Sequence, residues 1–412
     1  MATIQVTEET KRGRNQLAFT VVLGHTVKHI YNSGLQSVIL AVIKDDLGLS
    51  GTQFGLLATS QRVTSGTTTM IAGYLGDRFA NRSGLMLMLS LGIMGVSYYL
   101  MGSAPSYWFL FAVMLLVGIG PSLYHPPAIA SLSRKFPDRR GFAISLHGTG
   151  GSVGEVVGPV LTGGLISGTY LVAFHWRDVL HMSVLPALII AVAVYLMMKS
   201  IPAGAADAES LGQYLTSLAT LVKRKAMVSL VFVTALRSSG QSAVMGFLPV
   251  YLLEDLEYEK VVIGLFMSGA QVTGIVAQPI MGFLSDKFGR KVVLVPCTLA
   301  LGLLIICLRF AEPGPQLVLV VLFMGAFLYS LHTIYIAGAM DVAQGQAQST
   351  VVSLIYGASF IGAFSPWAAG WVADQWGNSA TFIFGGALVI LGALILWATR
   401  LPKTANQLDA GN

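Results

Sequence analysis

Charged side chains are what this chain has least of. Lys, Arg, Asp and Glu make up 11% of its 412 residues, against about 25% in an average soluble domain. The length would otherwise suggest two or three soluble domains, but a surface facing water on all sides needs more charge than this, so a soluble globular protein is excluded. Cysteine is nearly absent too. Cys297 and Cys307 are the two present, and ten residues along one helix would set them about 15 Å apart, beyond the roughly 7 Å Cα limit for a bridge. That excludes a disulfide scaffold. Nor is there a nucleophile elbow, a phosphate-cradling glycine loop or a metal-ligand cluster. An enzyme and a nucleotide-driven pump lose their support, and no cofactor or metal is called for.

Apolar residues fill the space that charge leaves. The chain is 54% hydrophobic, carries 46 glycines and has a mean hydropathy of +0.70. Small residues let membrane helices approach closely. Apolar runs of about 20 residues read as membrane spans, and twelve occur, near 17–43, 52–76, 84–103, 107–133, 142–169, 178–199, 226–253, 260–284, 291–310, 316–340, 348–373 and 378–399. Residues 1–16 are polar and the first apolar run is too long for a signal-peptide core, so it is expected to be a retained span. With both termini and the even-to-odd loops on one side, eighteen Lys/Arg fall there and four (Lys44, Arg177, Lys260, Arg309) on the other. The positive-inside rule makes the richer side cytoplasmic, in the inner, or plasma, membrane. The net charge of +6 is thus spread over loops as a topology signal, whereas a nucleic-acid surface would gather it on one face.

An internal repeat is the next signal. Loop 2–3 reads Gly73-Tyr-Leu-Gly-Asp77-Arg78 and loop 8–9 reads Gly282-Phe-Leu-Ser-Asp286-Lys287-Phe-Gly289-Arg290, an offset of 209 residues. The same offset pairs Asp46-Leu47 with Asp255-Leu256 and Lys28 with Arg237. An offset of 207 pairs His125 with His332 and Pro159 with Pro366. Two six-helix halves, 1–200 and 226–412, joined by a polar linker over 201–225, are the expected organisation of this all-α polytopic membrane protein. The duplicated Gly-x-x-x-Asp-Arg/Lys loop resembles the loop 2–3 motif of the major facilitator superfamily. Helix 5 adds Gly154-Glu-Val-Val-Gly158-Pro159, similar to that superfamily's antiporter motif, with one extra residue before Gly163-Gly164. Within the superfamily, His29-Ile-Tyr-Asn32, Leu35-Gln36-Ser37, Ser122-Leu-Tyr124-His125-Pro126 and Gly150-Gly151-Ser152 look like the fosmidomycin-resistance branch of drug and metabolite exporters. The resemblance implies secondary transport by alternating access. It also implies a cytoplasmic gate at Gly73, Asp77, Arg78, Gly282, Asp286 and Arg290. The two Asp residues stand at helix C-termini, where the dipole disfavours an anion, so each needs a partner.

Four charges fall near mid-bilayer by their distance from the helix ends: Lys28, Arg62, Glu155 and Arg237. Charges there are costly, and each is by default a functional hypothesis. His25, His29, Asn32 and Gln36 share a face of helix 1 beside Lys28, and Thr234, Arg237 and Gln241 share a face of helix 7. Facing polar stripes on repeat-related helices imply a common cavity. Lys28 and Arg237 on its walls suit a carboxylate, phosphate or phosphonate; the alternative is that each cation is neutralised within the protein. Arg62 fits substrate contact or pairing with Glu155 equally well. Glu155 and His147 share a face of helix 5 and are candidate proton carriers. His125 and His332 occupy matching places on helices 4 and 10. The expected substrate-binding set is Lys28, His29, Asn32, Arg62, His125, Arg237, Gln241 and His332.

The expected function is proton-coupled export of a small organic anion or amphipathic drug-like molecule. Uptake by symport, anion exchange, and a non-transporting sensor or lipid scramblase are the alternatives. The partners expected are the substrate, protons and membrane lipid, with the chain as a monomer.

Overall fold

The computed structural model describes residues 12–78, 80–136, 140–170, 172–201, 211–343 and 348–402. Among these there is no strand; the described residues form twelve long helical rods and one short helix. Helix α1 runs over Arg14–Gly34, passes a π-helical turn at Leu35–Ile39 and continues over Leu40–Asp46. Then come α2 (Gly51–Arg78), α3 (Ser83–Gly102) and α4, which is broken into Tyr107–Ser122 and His125–Lys135. The first six end with α5 (Arg140–Ser167) and α6 (Trp176–Lys199). A short helix, Leu211–Leu221, lies in the expected linker. The second six are α7 (Lys225–Val250 with a π turn at Tyr251–Asp255), α8 (Lys260–Phe288), α9 (Arg290–Cys307) and α10 (Pro315–Ala343), then α11 (Gln348–Ile361 and Ser365–Trp376, joined by a 3-10 turn) and α12 (Ala380–Ala398).

The breaks follow proline. In α4, Pro126 and Pro127 open the second segment, where their missing N–H groups would have no helical partner anyway. Pro366 opens the second segment of α11 in the same way, whereas its repeat partner Pro159 sits inside an unbroken α5.

Seven of the described rods are long and apolar enough to cross a membrane by length and composition alone: α3, α4, α6, α8, α9, α10 and α12. The five that fall short include α1, α2, α5 and α7. These carry Lys28, Arg62, Glu155 and Arg237, so the rods weakest in hydropathy are those that hold the buried charges.

The chain separates into two compact units, Met1–Leu35 with Ser60–Glu209 and Gln36–Thr59 with Ser210–Asn412. The sequence repeat would put all of α1 and α2 with the first half. By compactness, the end of α1 and the start of α2 group with the second unit, where Lys44 pairs with Glu254 at 2.6 Å and the Phe54 and Phe247 rings meet edge to face at 5.2 Å.

In the first unit α1 lies along α5, and glycine sets the spacing. A Cβ on Gly154 would stand 2.3 Å from the Thr26 carbonyl oxygen, and one on Gly158 2.4 Å from that of Ile30. Backbone oxygens cannot swing aside, so only glycine permits this approach, which brings Glu155 and His147 against α1. Gly154→Val should therefore lower the melting temperature by an amount equivalent to about 1–3 kcal/mol of overpacking. Gly148→Ala, on the same helix with open space around it, should leave it unchanged.

Candidate functional site

Lys28 is buried near the middle of α1 with 4% of its surface exposed. Two hydrogen-bond contacts hold its ammonium, to His29 Nε2 at 3.1 Å and His125 Nε2 at 2.8 Å. The break in α4 delivers His125: Tyr124 and His125 sit at the restart, and the Tyr124 hydroxyl donates to the Val21 carbonyl at 2.9 Å. Gly24 leaves room for that ring, since a Cβ there would lie 2.3 Å from the hydroxyl. Beyond Lys28 the contacts continue in both directions. His29 Nδ1 is 3.1 Å from Glu155 Oε1, a close but bent contact, and His125 Nδ1 is 3.4 Å from His147 Nε2. His25 stacks on His147 at 3.6 Å and donates from Nδ1 to the His147 carbonyl at 2.7 Å, which leaves its Nε2 buried and without a partner. Two of the positions expected to bind substrate, Asn32 and His29, thus sit on one face of α1 beside Lys28, and Gln61 of α2 reaches Asn32 at 3.4 Å.

The second unit repeats the arrangement with different chemistry. Arg237 on α7 is 3% exposed. It donates to Gln241 Oε1 at 2.8 Å, approaches His332 Nδ1 at 3.5 Å, lies over the Tyr335 ring at 5.7 Å, and its Nε is buried without a partner. Tyr335 is anchored by Thr298 at 2.8 Å, and His332 packs edge-on to Tyr356 at 5.0 Å. The two positions paired across the repeat, 28 with 237 and 125 with 332, are therefore a cation touching a histidine in each unit. Among the described residues neither cation has a carboxylate within ion-pair distance. A buried cation with neutral neighbours keeps most of its desolvation cost and stays available to an anion.

The later copy of the gate motif is also described. Arg290 pairs with Asp286 one turn away, reaches Asp341 at the end of α10 at 3.0 Å, and donates to Ser285 Oγ at 2.7 Å. Asp286, at a helix C-terminus, thereby gains the positive partner it requires.

Comparison with known proteins decides what this arrangement belongs to. The family model for the Major Facilitator Superfamily matches residues 25–235 and 230–411. The chain belongs to the Major Facilitator Superfamily. Among relatives, it is similar to a hexuronate transporter of Bacillus subtilis (strain 168), 24% identical over 92% of this chain and 91% of that one. It is likewise similar to the multidrug resistance protein MdtG of Yersinia enterocolitica, 26% identical over 89% and 90%. In fold it matches the crystal structure of the nucleoside transporter NupG, with a TM-score of 0.73, 12% identity and coverage of 93% and 98%. Like other members of the superfamily it is a membrane transporter and not an enzyme, an all-helical protein of two six-helix halves.

The remaining candidate residues sit in varied surroundings. Arg62 does not pair with Glu155, whose carboxylate meets His29; Arg62 is half-buried on α2 with no hydrogen-bond or ion-pair partner among the described residues. His147 and Glu155 share α5 but serve different neighbours, His125 and His29. The side chains of Asp77 and Arg78, in the earlier gate copy that opens at Gly73, lie outside the described residues. The sequence shows no metal-ligand cluster, yet His25, His125 and His147 bring ring nitrogens within 4.8 Å of one another. Their number would suit a transition metal, but the Lys28 ammonium 2.8 Å from His125 would repel a divalent ion.

A second group escaped the sequence reading altogether. Asp374, at the polar end of α11 outside the apolar span 348–373, accepts from the Gly51 and Thr52 amides and the Thr52 hydroxyl at the first turn of α2. A Cβ on Gly51 would lie 2.6 Å from the Gly370 carbonyl oxygen, so the two helices touch backbone to backbone. The signal was present in the sequence: Gly370-Trp-Val-Ala-Asp374 has the same four-residue Gly-to-Asp spacing as both gate loops. Partial burial pushes the Asp374 carboxyl up, but the hydrogen bonds from Thr52 and the Gly51 amide outweigh it and hold the group below the ordinary carboxylate range. A depressed carboxyl stabilises the fold above its unfolded value and loses that contribution as pH falls through the lower folded value. Asp374→Ala should thus cost about 0.5–2 kcal/mol, the worth of a helix cap, at neutral pH. The difference in melting temperature from the unmodified protein should close only below about pH 4, where carboxylates protonate.

Proposed function

We propose that this protein is a proton-coupled exporter of a small organic anion, working by alternating access as a monomer in the inner membrane with both termini cytoplasmic. The observation that carries the reading is the pair of buried, repeat-related cations, Lys28 and Arg237, each in direct contact with neutral hydrogen-bonding groups and, among the described residues, neither within ion-pair distance of a carboxylate. A guanidinium offers a planar two-donor fork and an ammonium a compact point charge. Each would engage a carboxylate- or phosphonate-bearing molecule, with Asn32, Gln241, His29, His125 and His332 supplying further hydrogen bonds and Arg62 as a third cation. Glu155 and His147 would carry the proton, and the loops at Asp77 and Asp286 would gate the cytoplasmic side. In this reading the halves are 1–200 and 226–412, joined at 201–225.

Two kinds of similarity support the class of substrate and the direction. The relative named as a hexuronate transporter moves a sugar carboxylate, which fits the sign of the buried charges. The MdtG relatives, named for multidrug resistance, favour export, as do the segments at 29–32, 122–126 and 150–152 that resemble the fosmidomycin-resistance branch. The hexuronate likeness also sustains a second reading, uptake of an organic anion by proton symport or exchange.

Proteoliposomes separate these. With an imposed pH gradient and a panel of glucuronate, galacturonate and methylphosphonate, flux should appear for at least one anion and reverse with the gradient, and its sign relative to the proton gradient distinguishes antiport from symport. Lys28→Ala combined with Arg237→Ala should abolish saturable flux. Undiminished flux in the double variant would remove the anion site from the account.

A further inference from the structure

We propose that Lys28 is the branch point of a proton relay through close contacts, Glu155–His29–Lys28–His125–His147, and that its ammonium sets the tautomer of both histidines it touches. The inference deepens the proton-coupled reading above and rests on it for its purpose, though its geometry stands independently.

Donor arithmetic on the four contacts leads there. A protonated lysine has three N–H donors and no acceptor. Both of its histidine contacts are at Nε2, so His29 and His125 must each present a bare Nε2 and carry the ring proton on Nδ1. The other ends of the rings match. His29 Nδ1–H faces the Glu155 carboxylate at 3.1 Å, and His125 Nδ1–H faces His147 Nε2 at 3.4 Å. His147 must then accept at Nε2 and hold its own proton on Nδ1, which is one of the buried ring nitrogens without a partner. Thus one ammonium, placed between two rings, fixes three tautomers in a row.

The same contacts let the charge move. If Lys28 gives one proton to His29 Nε2 while His29 releases its Nδ1 proton to Glu155, the products are a neutral amine, a neutral histidine of the opposite tautomer and a protonated carboxyl. No proton is gained or lost, and two buried charges separated by His29 have both been neutralised. Along the other branch Lys28 passes a proton to His125 Nε2 as His125 Nδ1–H passes to His147 Nε2, which leaves His147 as the imidazolium. An anion seated on Lys28 would hold its proton in place and close both branches. Its departure would open them, and that is a coupling of substrate to proton at a single nitrogen. The repeat-related pair cannot do this, because the Arg237 guanidinium keeps its proton. One unit of the protein therefore has a fixed charge and the other a movable one.

Among the described residues, the other titratable groups facing the relay are few. From α1 there are His25, donating to the His147 carbonyl, and Tyr31, whose hydroxyl donates to Ser183 of α6. Tyr124 of α4 donates to Val21, and Tyr98 of α3 lies 5.7 Å from the Tyr31 ring. Helix α2 contributes Gln61, through Asn32 of α1, and carries Arg62.

Nitrogen NMR on the full chain in nanodiscs, labelled at histidine and assigned with single His→Gln variants, tests the tautomers without any substrate. His29 and His125 should both be protonated on Nδ1 and bare on Nε2, the reverse of free histidine's preference. In Lys28→Met at least one should change tautomer. Finding the proton on Nε2 of either ring in the unmodified protein overturns the relay, as does a Lys28→Met spectrum that matches it. Lys28→Arg guards against misfolding of the methionine variant. Its guanidinium donates to both rings, so both tautomers should persist, while glucuronate accumulation driven by a pH gradient falls by about tenfold or more. Persistent tautomers with undiminished gradient-driven accumulation would remove Lys28 as the proton branch point. If no panel anion is carried at all, the coupling reading fails on its own account and the tautomer result still decides the relay.

Discussion

Burying a positive charge in a membrane protein without an opposite charge beside it is the constraint on which the rest of this structure turns. Such a group costs several kcal/mol even after relaxation, and most proteins remove the cost by pairing it. Here Lys28 and Arg237 are left among histidine, glutamine and tyrosine, neutral groups that can accept or orient but cannot cancel the charge. The packing of the first unit is consistent with that demand. The break at Tyr124-His125 turns a histidine toward Lys28, and the glycines of α5 bring Glu155 and His147 within reach of α1. The four rods that hold the buried charges are also among those too polar to pass as spans on composition alone.

Duplication gives the two units the same cation–histidine contact, and divergence gives them different chemistry. Lysine can exchange a proton with its neighbours and arginine cannot. Either cation can attract an anion, while only the lysine could serve coupling in the proposed relay. The contacts around Asp374 and Arg290 follow a related logic at the rod ends. In each, a carboxylate meets a cation or a helix N-terminus, the partners that favour a negative charge.

Much of this was legible in the residues alone. Scarce charge and twelve apolar runs pointed to the class of protein, and the repeat offsets paired 28 with 237 and 125 with 332, the positions that form the cation–histidine contact in each unit. The periodicity of α1 put His25, His29 and Asn32 on one face. What stayed hidden depends on tertiary contact. Sequence spacing cannot say that His125 rather than Glu155 would lie nearest Lys28, nor that Glu155 would turn to His29 and leave Arg62. The assignment of 36–59 to the second unit follows from Lys44 meeting Glu254, 210 positions away. Asp374 was missed for a different reason: its Gly-to-Asp spacing was visible but lacked the flanking basic residues that drew attention to the gate loops.

Thermal unfolding of the ligand-free protein tests the central claim most directly. If Lys28 and Arg237 are held unpaired for a substrate, replacing either with methionine removes a desolvation cost, and the melting temperature should stay level or rise. If they are structural locks, removing one leaves its partner stranded, and stability should fall by about 3–5 kcal/mol, as when a buried pair is broken. A fall of that size for both Lys28→Met and Arg237→Met would contradict the account.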